Sequence, residues 1–152
     1  MSALRSISSS LLACLCASSA AYSEPARICE LAIRHGGMVE YLVQVEPDKN
    51  GNRTFQADID EDGADDVLRW SDPGTASMMP ADDSTLTLTL TSNKKSFTLQ
   101  QQRLYVVKFE SRYYVVTTRA ETQLGPWYRE VFGLARDGIT NVCSVEGKGQ
   151  VP

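Results

Sequence analysis

The residues best suited to do chemistry lie in one short segment, Asp58-Ile59-Asp60-Glu61-Asp62-Gly63-Ala64-Asp65-Asp66. Six of its nine residues are acidic and none is basic, although the whole chain of 152 residues has only 19 acids. Carboxylates this close repel each other by roughly 1 kcal/mol or more per pair near a surface. A bound cation is the usual resolution, so the segment predicts a metal site.

The spacing of the acidic residues favours calcium. Carboxylates stand at the first, third, fifth and ninth positions, Gly63 at the sixth allows a sharp turn, and the seventh offers a backbone carbonyl. Ligands that are all oxygen suit calcium better than zinc or copper, and the segment has neither His nor Cys. Asp65 and Glu61 should point away from the ion. The predicted ligands are the carboxylates of Asp58, Asp60, Asp62 and Asp66 and the backbone carbonyl of Ala64.

The segment is not a complete EF-hand loop. Its twelfth position is Arg69, where an EF-hand needs a bidentate Glu, and residues 67–71 alternate like a strand. It resembles instead the strand-loop-strand calcium loops (D-x-D-x-D-G-x-x-D) of FG-GAP-type repeats in secreted bacterial proteins, in which an apolar strand follows, here Val67-Leu68. The resemblance implies an ion site with an affinity of about 0.1 to 1 mM, as in extracellular modules. The alternative is a solvated acidic turn that discourages edge pairing.

The N-terminus has the composition of a secretion signal. Arg5 is its charged part, an apolar stretch covers residues 11–17, and small residues precede Ser23. Cleavage after Ser23 makes residues 1–23 a signal peptide and residues 24–152 a single domain in the periplasm or outside the cell. In the alternative, Leu11-Leu12-Ala13-Cys14 resembles a lipobox, and a lipid anchor at Cys14 would make the protein an outer-membrane lipoprotein.

The four cysteines favour cleavage after Ser23. That cut removes Cys14 and Cys16 together and leaves an even pair, Cys29 and Cys143. An exported chain meets an oxidising compartment, where such a pair forms a disulfide. The bridge would close a loop of more than 100 residues, which stabilises the fold by about 4 to 5 kcal/mol in the chain-entropy model.

The remaining chain alternates with a period of two. In its clearest strand, Leu86, Leu88 and Leu90 alternate with threonines, as in a sheet with one buried face. No window shows a helical period. The sequence therefore predicts an all-β fold, an antiparallel sandwich or closed barrel of about ten short strands, with the first and last strands linked by the disulfide. The predicted strands are 29–33, 39–45, 53–57, 67–71, 85–91, 96–102, 104–109, 113–120, 127–135 and 139–145.

Two groups of aromatic and Arg residues are candidates for partner binding. Arg112 and Tyr113 fall at a hairpin end, and Trp127 and Tyr128 open a strand after a break. Such side chains on rigid turns are typical interface anchors. The alternative is that they cover the ends of sheets.

Composition and motifs reduce the number of functions that the chain could have. A net charge of -4 disfavours nucleic acid as a partner, and no later apolar run is long enough to cross a bilayer. The sequence has no Gly-x-Ser-x-Gly elbow, no glycine loop that would bind phosphate and no zinc-ligand spacing. A small exported all-β protein of this organisation looks like the periplasmic immunity or lysozyme-inhibitor-like proteins of bacteria. The resemblance implies a non-enzymatic inhibitor or immunity partner of a cell-wall hydrolase or toxin. The alternative is a calcium-dependent carbohydrate or cell-surface adhesion module.

Overall fold

A computed structural model describes residues 24–34, 38–71, 84–120 and 125–148, which form two β-sheets and one α-helix. The helix, α1, comes first, and a single 3-10 turn, Val39–Tyr41, follows it. All the strands come after these two elements. The elements are α1 Glu24–Ile33, β1 Asn52–Ala57, β2 Asp66–Ser71, β3 Ser84–Thr89, β4 Ser96–Gln101, β5 Arg103–Phe109, β6 Arg112–Ala120, β7 Pro126–Ala135 and β8 Gly138–Lys148.

The strands form two four-stranded antiparallel sheets, in the orders β1-β2-β3-β4 and β5-β6-β7-β8. Within each sheet, strands that follow one another along the chain pair with each other, so each sheet is a simple meander. The predicted antiparallel sandwich is therefore confirmed, and the alternative of a closed barrel is wrong. The last eight predicted strands correspond to β1 to β8.

The main hydrophobic core lies between the two sheets. The leucines of the clearest predicted strand, together with Leu68, Val106 and Val115, are almost fully buried there. In β3 every second residue is buried, and the threonines between them are half-buried on the other face. This is the period of two that the sequence shows, and it fixes the register of the strands because a slip by one residue would expose the leucines.

The prediction of a strand at residues 29–33 is wrong, because Glu24–Ile33 is an α-helix. Ile28 and Ala32 are four residues apart, so they share one helical face, and both are fully buried. This face packs on the outer side of the second sheet, against a smaller core that includes Val107, Val116 and Val131. Tertiary packing of that face, rather than local alternation, therefore decides the structure of this segment.

The prediction of a strand at residues 39–45 is also wrong. Its first three residues form the 3-10 turn, and Val39 is 65% exposed. Only an isolated bridge, Leu42 with Val107, and a hydrogen bond from the Val43 N–H to the Val106 carbonyl pair this segment with β5. The segment closes one side of the sandwich without becoming a ninth strand among the described residues.

The predicted disulfide between Cys29 and Cys143 is confirmed, with the Cα atoms 6.2 Å apart. It joins α1 to β8, and so the prediction that it joins the first strand to the last is wrong in that one respect. The helix is also held by a hydrogen bond from a guanidinium N–H of Arg129 to the Ala32 carbonyl, 2.7 Å, and by one from the Tyr114 hydroxyl to Glu24, 3.0 Å. The bridge therefore secures an element whose face is already buried.

The predictions for the N-terminus fall outside the described residues. Residues 1–23 contain the expected signal peptide and Cys14, the residue of the alternative lipid anchor. Within the part of the chain that the structure describes, no helix is both long enough and apolar enough to span a membrane.

Candidate metal centre

The acidic segment is the connection between two adjacent strands. β1 ends at Ala57 and β2 begins at Asp66, and these two residues are opposite each other in the antiparallel register. The chain reverses through Gly63, whose φ is +88°, and nothing lies within 4 Å of the position that a Cβ would occupy there. Glycine is therefore favoured at this point by the left-handed backbone and not by lack of space.

Three of the four predicted carboxylate ligands come together. Asp58, Asp60 and Asp66 each offer one oxygen, and these three oxygens lie within 4.8 Å of one another. Two oxygens that both bind one calcium ion at about 2.4 Å are at most about 4.8 Å apart. The three carboxylates are thus close enough to share a single cation.

Asp66 is the buried residue that organises the loop. Its carboxylate is fully buried and accepts backbone N–H bonds from Ile59, 3.1 Å, and Asp60, 3.3 Å. Its other oxygen accepts the N–H of Thr91, 2.7 Å, from the turn between β3 and β4. One side chain therefore ties the acidic loop to a turn 25 residues away in sequence.

Asp58 and Asp62 bond to the backbone of the loop itself. The two Asp58 oxygens accept the N–H groups of Asp62, 2.9 Å, and Gly63, 3.0 Å. Asp62 in turn accepts the N–H of Ala64, 2.9 Å. Asp62 does not belong to the cluster of three, so the roles of Asp62 and of the Ala64 carbonyl as ligands stay predictions.

Asp60 is the member of the cluster of three that has a buried carboxylate oxygen without a hydrogen-bond partner among the described residues. Its Oδ2 accepts a hydrogen bond from the Ser92 hydroxyl, 3.2 Å, whereas its Oδ1 is buried and has no hydrogen-bond partner in the described structure. Burial, followed by the negative charges of Asp66 and Asp62, raises the pKa of Asp60. A buried carboxylate oxygen without a partner destabilises the fold, and a cation at this point would remove that penalty.

The loop has neighbours that its own spacing could not reveal. Thr91 and Ser92 lie in the turn between β3 and β4 and bond to the loop, Thr91 also through its hydroxyl to the Asp65 carbonyl, 2.7 Å. Because they are 25 or more positions away in sequence from the residues to which they bond, only the strand pairing places them there. Glu61 and Asp65 are exposed and lie outside the cluster of three; that they point away from an ion stays a prediction.

A cavity of about 730 Å³ lies beside the loop. Ile59, Asp60 and Glu61 line it from the loop, and Arg112 and Tyr113 line it from β6. A change in the loop would therefore alter one wall of this cavity.

The four predicted partner-binding residues differ in exposure. Arg112 is exposed, with Glu24 at 3.8 Å, and Tyr128 is half-buried beneath the guanidinium of Arg119. Tyr113 and Trp127 are buried, so these two rings belong to the interior. Of the four residues, Arg112 and Tyr128 are thus the two whose side chains reach the surface.

Comparison of the chain with protein-family models, curated proteins and solved structures finds no match.

Proposed function

We propose that the chain is a non-enzymatic calcium-binding protein in which residues 58–66 hold one Ca²⁺. The observation that carries this proposal is the cluster of three carboxylates, of which Asp60 has one buried oxygen without a hydrogen-bond partner among the described residues. Oxygen donors in an adaptable loop suit Ca²⁺, which accepts six to eight ligands in flexible geometry. Asp62 and the Ala64 carbonyl would add two further ligands, and water would supply the rest.

The ion would stabilise the fold rather than carry out a reaction. Asp60 and Asp66 belong to the loop between β1 and β2, yet they bond to Ser92 and Thr91 in the turn between β3 and β4. A cation held by these carboxylates would fasten both connections at one end of the first sheet. Because it binds the folded chain, it raises the free energy of unfolding.

Calcium is expected to raise the melting temperature. With an affinity of about 0.1 to 1 mM, about 10 mM Ca²⁺ adds about 1.4 to 2.7 kcal/mol, or about 4 to 10 °C. Asp60→Asn should abolish this rise, whereas Asp65→Asn, which changes an exposed carboxylate of the same loop, should keep it. Thermal unfolding of the purified protein in Ca²⁺ and in chelator measures the difference.

Without calcium, in chelator, Asp60→Asn is expected to lose no stability relative to the wild type. Because the folded state raises the pKa of Asp60, it binds the proton of this carboxyl more tightly than the unfolded chain does, and stability falls as pH rises through the raised pKa. Asn mimics the protonated form, so Asp60→Asn should be at least as stable as the wild type in chelator at neutral pH. An equal rise with Ca²⁺ in Asp60→Asn and Asp65→Asn would refute the site.

We further propose that the protein acts in the periplasm or outside the cell by binding a cell-wall hydrolase or toxin as its inhibitor or immunity partner. Support comes from the organisation of the chain: a small sandwich fastened by a disulfide, with a cavity that Arg112 and the acidic loop line together. The alternative is a calcium-dependent module for carbohydrate or the cell surface.

Affinity capture separates these two functions. An inhibitor should capture one protein from the secreted fraction, in chelator as well as in Ca²⁺, and should slow the lysis of purified peptidoglycan by that protein. A carbohydrate module should bind wall polymer and release it on chelation. Binding of neither would contradict both functions while leaving the calcium site to be judged by thermal unfolding.

A further inference from the structure

The edge of the first sheet formed by β4 has no partner strand among the described residues. β4, Ser96–Gln101, pairs on one side with β3 and is last in the strand order. Its six residues, Ser-Phe-Thr-Leu-Gln-Gln, include no charge, no proline and no glycine. Native edge strands usually carry such features because they prevent pairing with other chains.

The other edges of the two sheets are protected or occupied. Residues Leu42 and Val43 pair with β5, and β1 carries a charged residue, Arg53, whose guanidinium donates a hydrogen bond to the Val45 carbonyl, 3.1 Å. β8 has an irregular register opposite Val131 and Phe132, and it carries charged residues near its C-terminal end. β4 is thus the edge that is best suited to accept a strand.

Two apolar side chains of β4 are only partly covered, although Gly138 at the start of β8 lies against the ring of Phe97. Phe97 and Leu99 lie opposite Leu88 and Leu86 in the register, and these two leucines are fully buried. Phe97 and Leu99 pack against the same core but are only partly buried. An added strand would cover more of the apolar surface of both side chains, and it would pair with the backbone groups on the side of β4 that faces no other described strand.

The sequence of β4 is complementary to itself. In an antiparallel pair centred on Thr98, this threonine faces its own copy, Phe97 faces Leu99, and Ser96 faces Gln100. Apolar side chains therefore meet apolar ones and hydroxyls meet amides or hydroxyls, which are favourable cross-strand pairs. The adjacent Lys95 would face Gln101, so no like charges meet.

We propose that two copies of this chain associate through β4 in an antiparallel pair centred on Thr98, which joins the two first sheets into one sheet of eight strands. A two-fold interface of this kind uses the same surface on both copies and closes on itself. The interface is small, and dimerisation is accordingly weak and depends on concentration.

Sedimentation velocity of the purified protein over a concentration series tests the dimer. The wild type should shift from the mass of one chain to that of two. Thr98→Lys, which places two lysines opposite each other, should weaken dimerisation at least about tenfold. Thr87→Lys is the matched control, because Thr87 is the neighbour of Thr98 on β3 and has the same chemistry on the same face; it should dimerise like the wild type.

A cross-link tests the register without relying on the lysine variant. Opposed residues in an antiparallel pair have Cα atoms about 4.5 to 5.5 Å apart, which a disulfide can span. Thr98→Cys should therefore give an oxidised dimer on a non-reducing gel, and Thr87→Cys should not. A wild type that stays monomeric at every concentration, or equal cross-linking of the two variants, would overturn the proposal.

Discussion

Replacement of Cys29 and Cys143 by alanine is expected to lower the free energy of unfolding by about 4 to 5 kcal/mol. The bridge connects residues 114 positions apart, and its loss frees that long loop in the unfolded chain. Such a loss is a large fraction of the total stability of a small domain. Urea denaturation of the double variant beside the oxidised wild type measures it.

The reduced wild type serves as the control for this change. A reductant should destabilise the wild type by a similar amount and should leave the double variant unchanged, because the variant has no bridge to lose. A loss below about 1 kcal/mol would mean that the conformations of the unfolded chain are already restricted without the bridge. This result would contradict the predicted role of the disulfide.

Asp66→Asn is expected to destabilise the fold by about 2 to 4 kcal/mol in chelator. The buried carboxylate accepts backbone N–H groups on both of its oxygens, from Ile59 and Asp60 on one and from Thr91 on the other. Whichever way the new amide is turned, its NH₂ group faces at least one backbone N–H, buried or partly buried, that loses its acceptor. Urea denaturation in chelator separates this effect from any loss of calcium.

Asp65→Asn is the matched control for Asp66→Asn. Asp65 precedes Asp66 directly, but its side chain is exposed. The change should therefore alter the free energy of unfolding by no more than about 0.5 kcal/mol. Equal losses in the two variants would show that the hydrogen bonds of Asp66 do not hold the loop to the turn between β3 and β4.

The eight strands could be predicted because their burial follows local alternation. Leu86 and Leu88 are buried between the sheets, while the threonines beside them face outward. The sheet order could not be predicted, since it depends on which apolar faces pack together. The choice between a sandwich and a barrel was therefore left open by the sequence and decided by the structure.

The N-terminal helix was not predicted because its apolar residues fit both the period of a strand and the period of a helix. Cys29, Leu31 and Ile33 alternate like a strand, but Ile28 and Ala32 are separated by one helical turn, and these two residues are the buried ones. Pro25, in the first turn, is a position where helices tolerate proline. That proline, with the spacing of Ile28 and Ala32, is the signal that could have indicated a helix.

The candidate site was predicted in part. The spacing of Asp58, Asp60 and Asp66 within one loop is local information, and the structure brings these three carboxylates together. Thr91 and Ser92 come from a different hairpin, so no local motif could indicate them. The burial of Tyr113 and Trp127 likewise depends on the neighbouring strands, which an aromatic residue near a turn does not reveal.

The central claim is that the loop of residues 58–66 binds one calcium ion, and calcium titration by calorimetry tests it most directly. The account predicts one Ca²⁺ per chain for the wild type and for Asp65→Asn, with an affinity of about 0.1 to 1 mM, and no binding for Asp60→Asn. Binding should weaken as pH falls, because protons compete for the carboxyl of Asp60, whose pKa is raised. Absence of binding to the folded wild type, or undiminished binding to Asp60→Asn, would contradict the account.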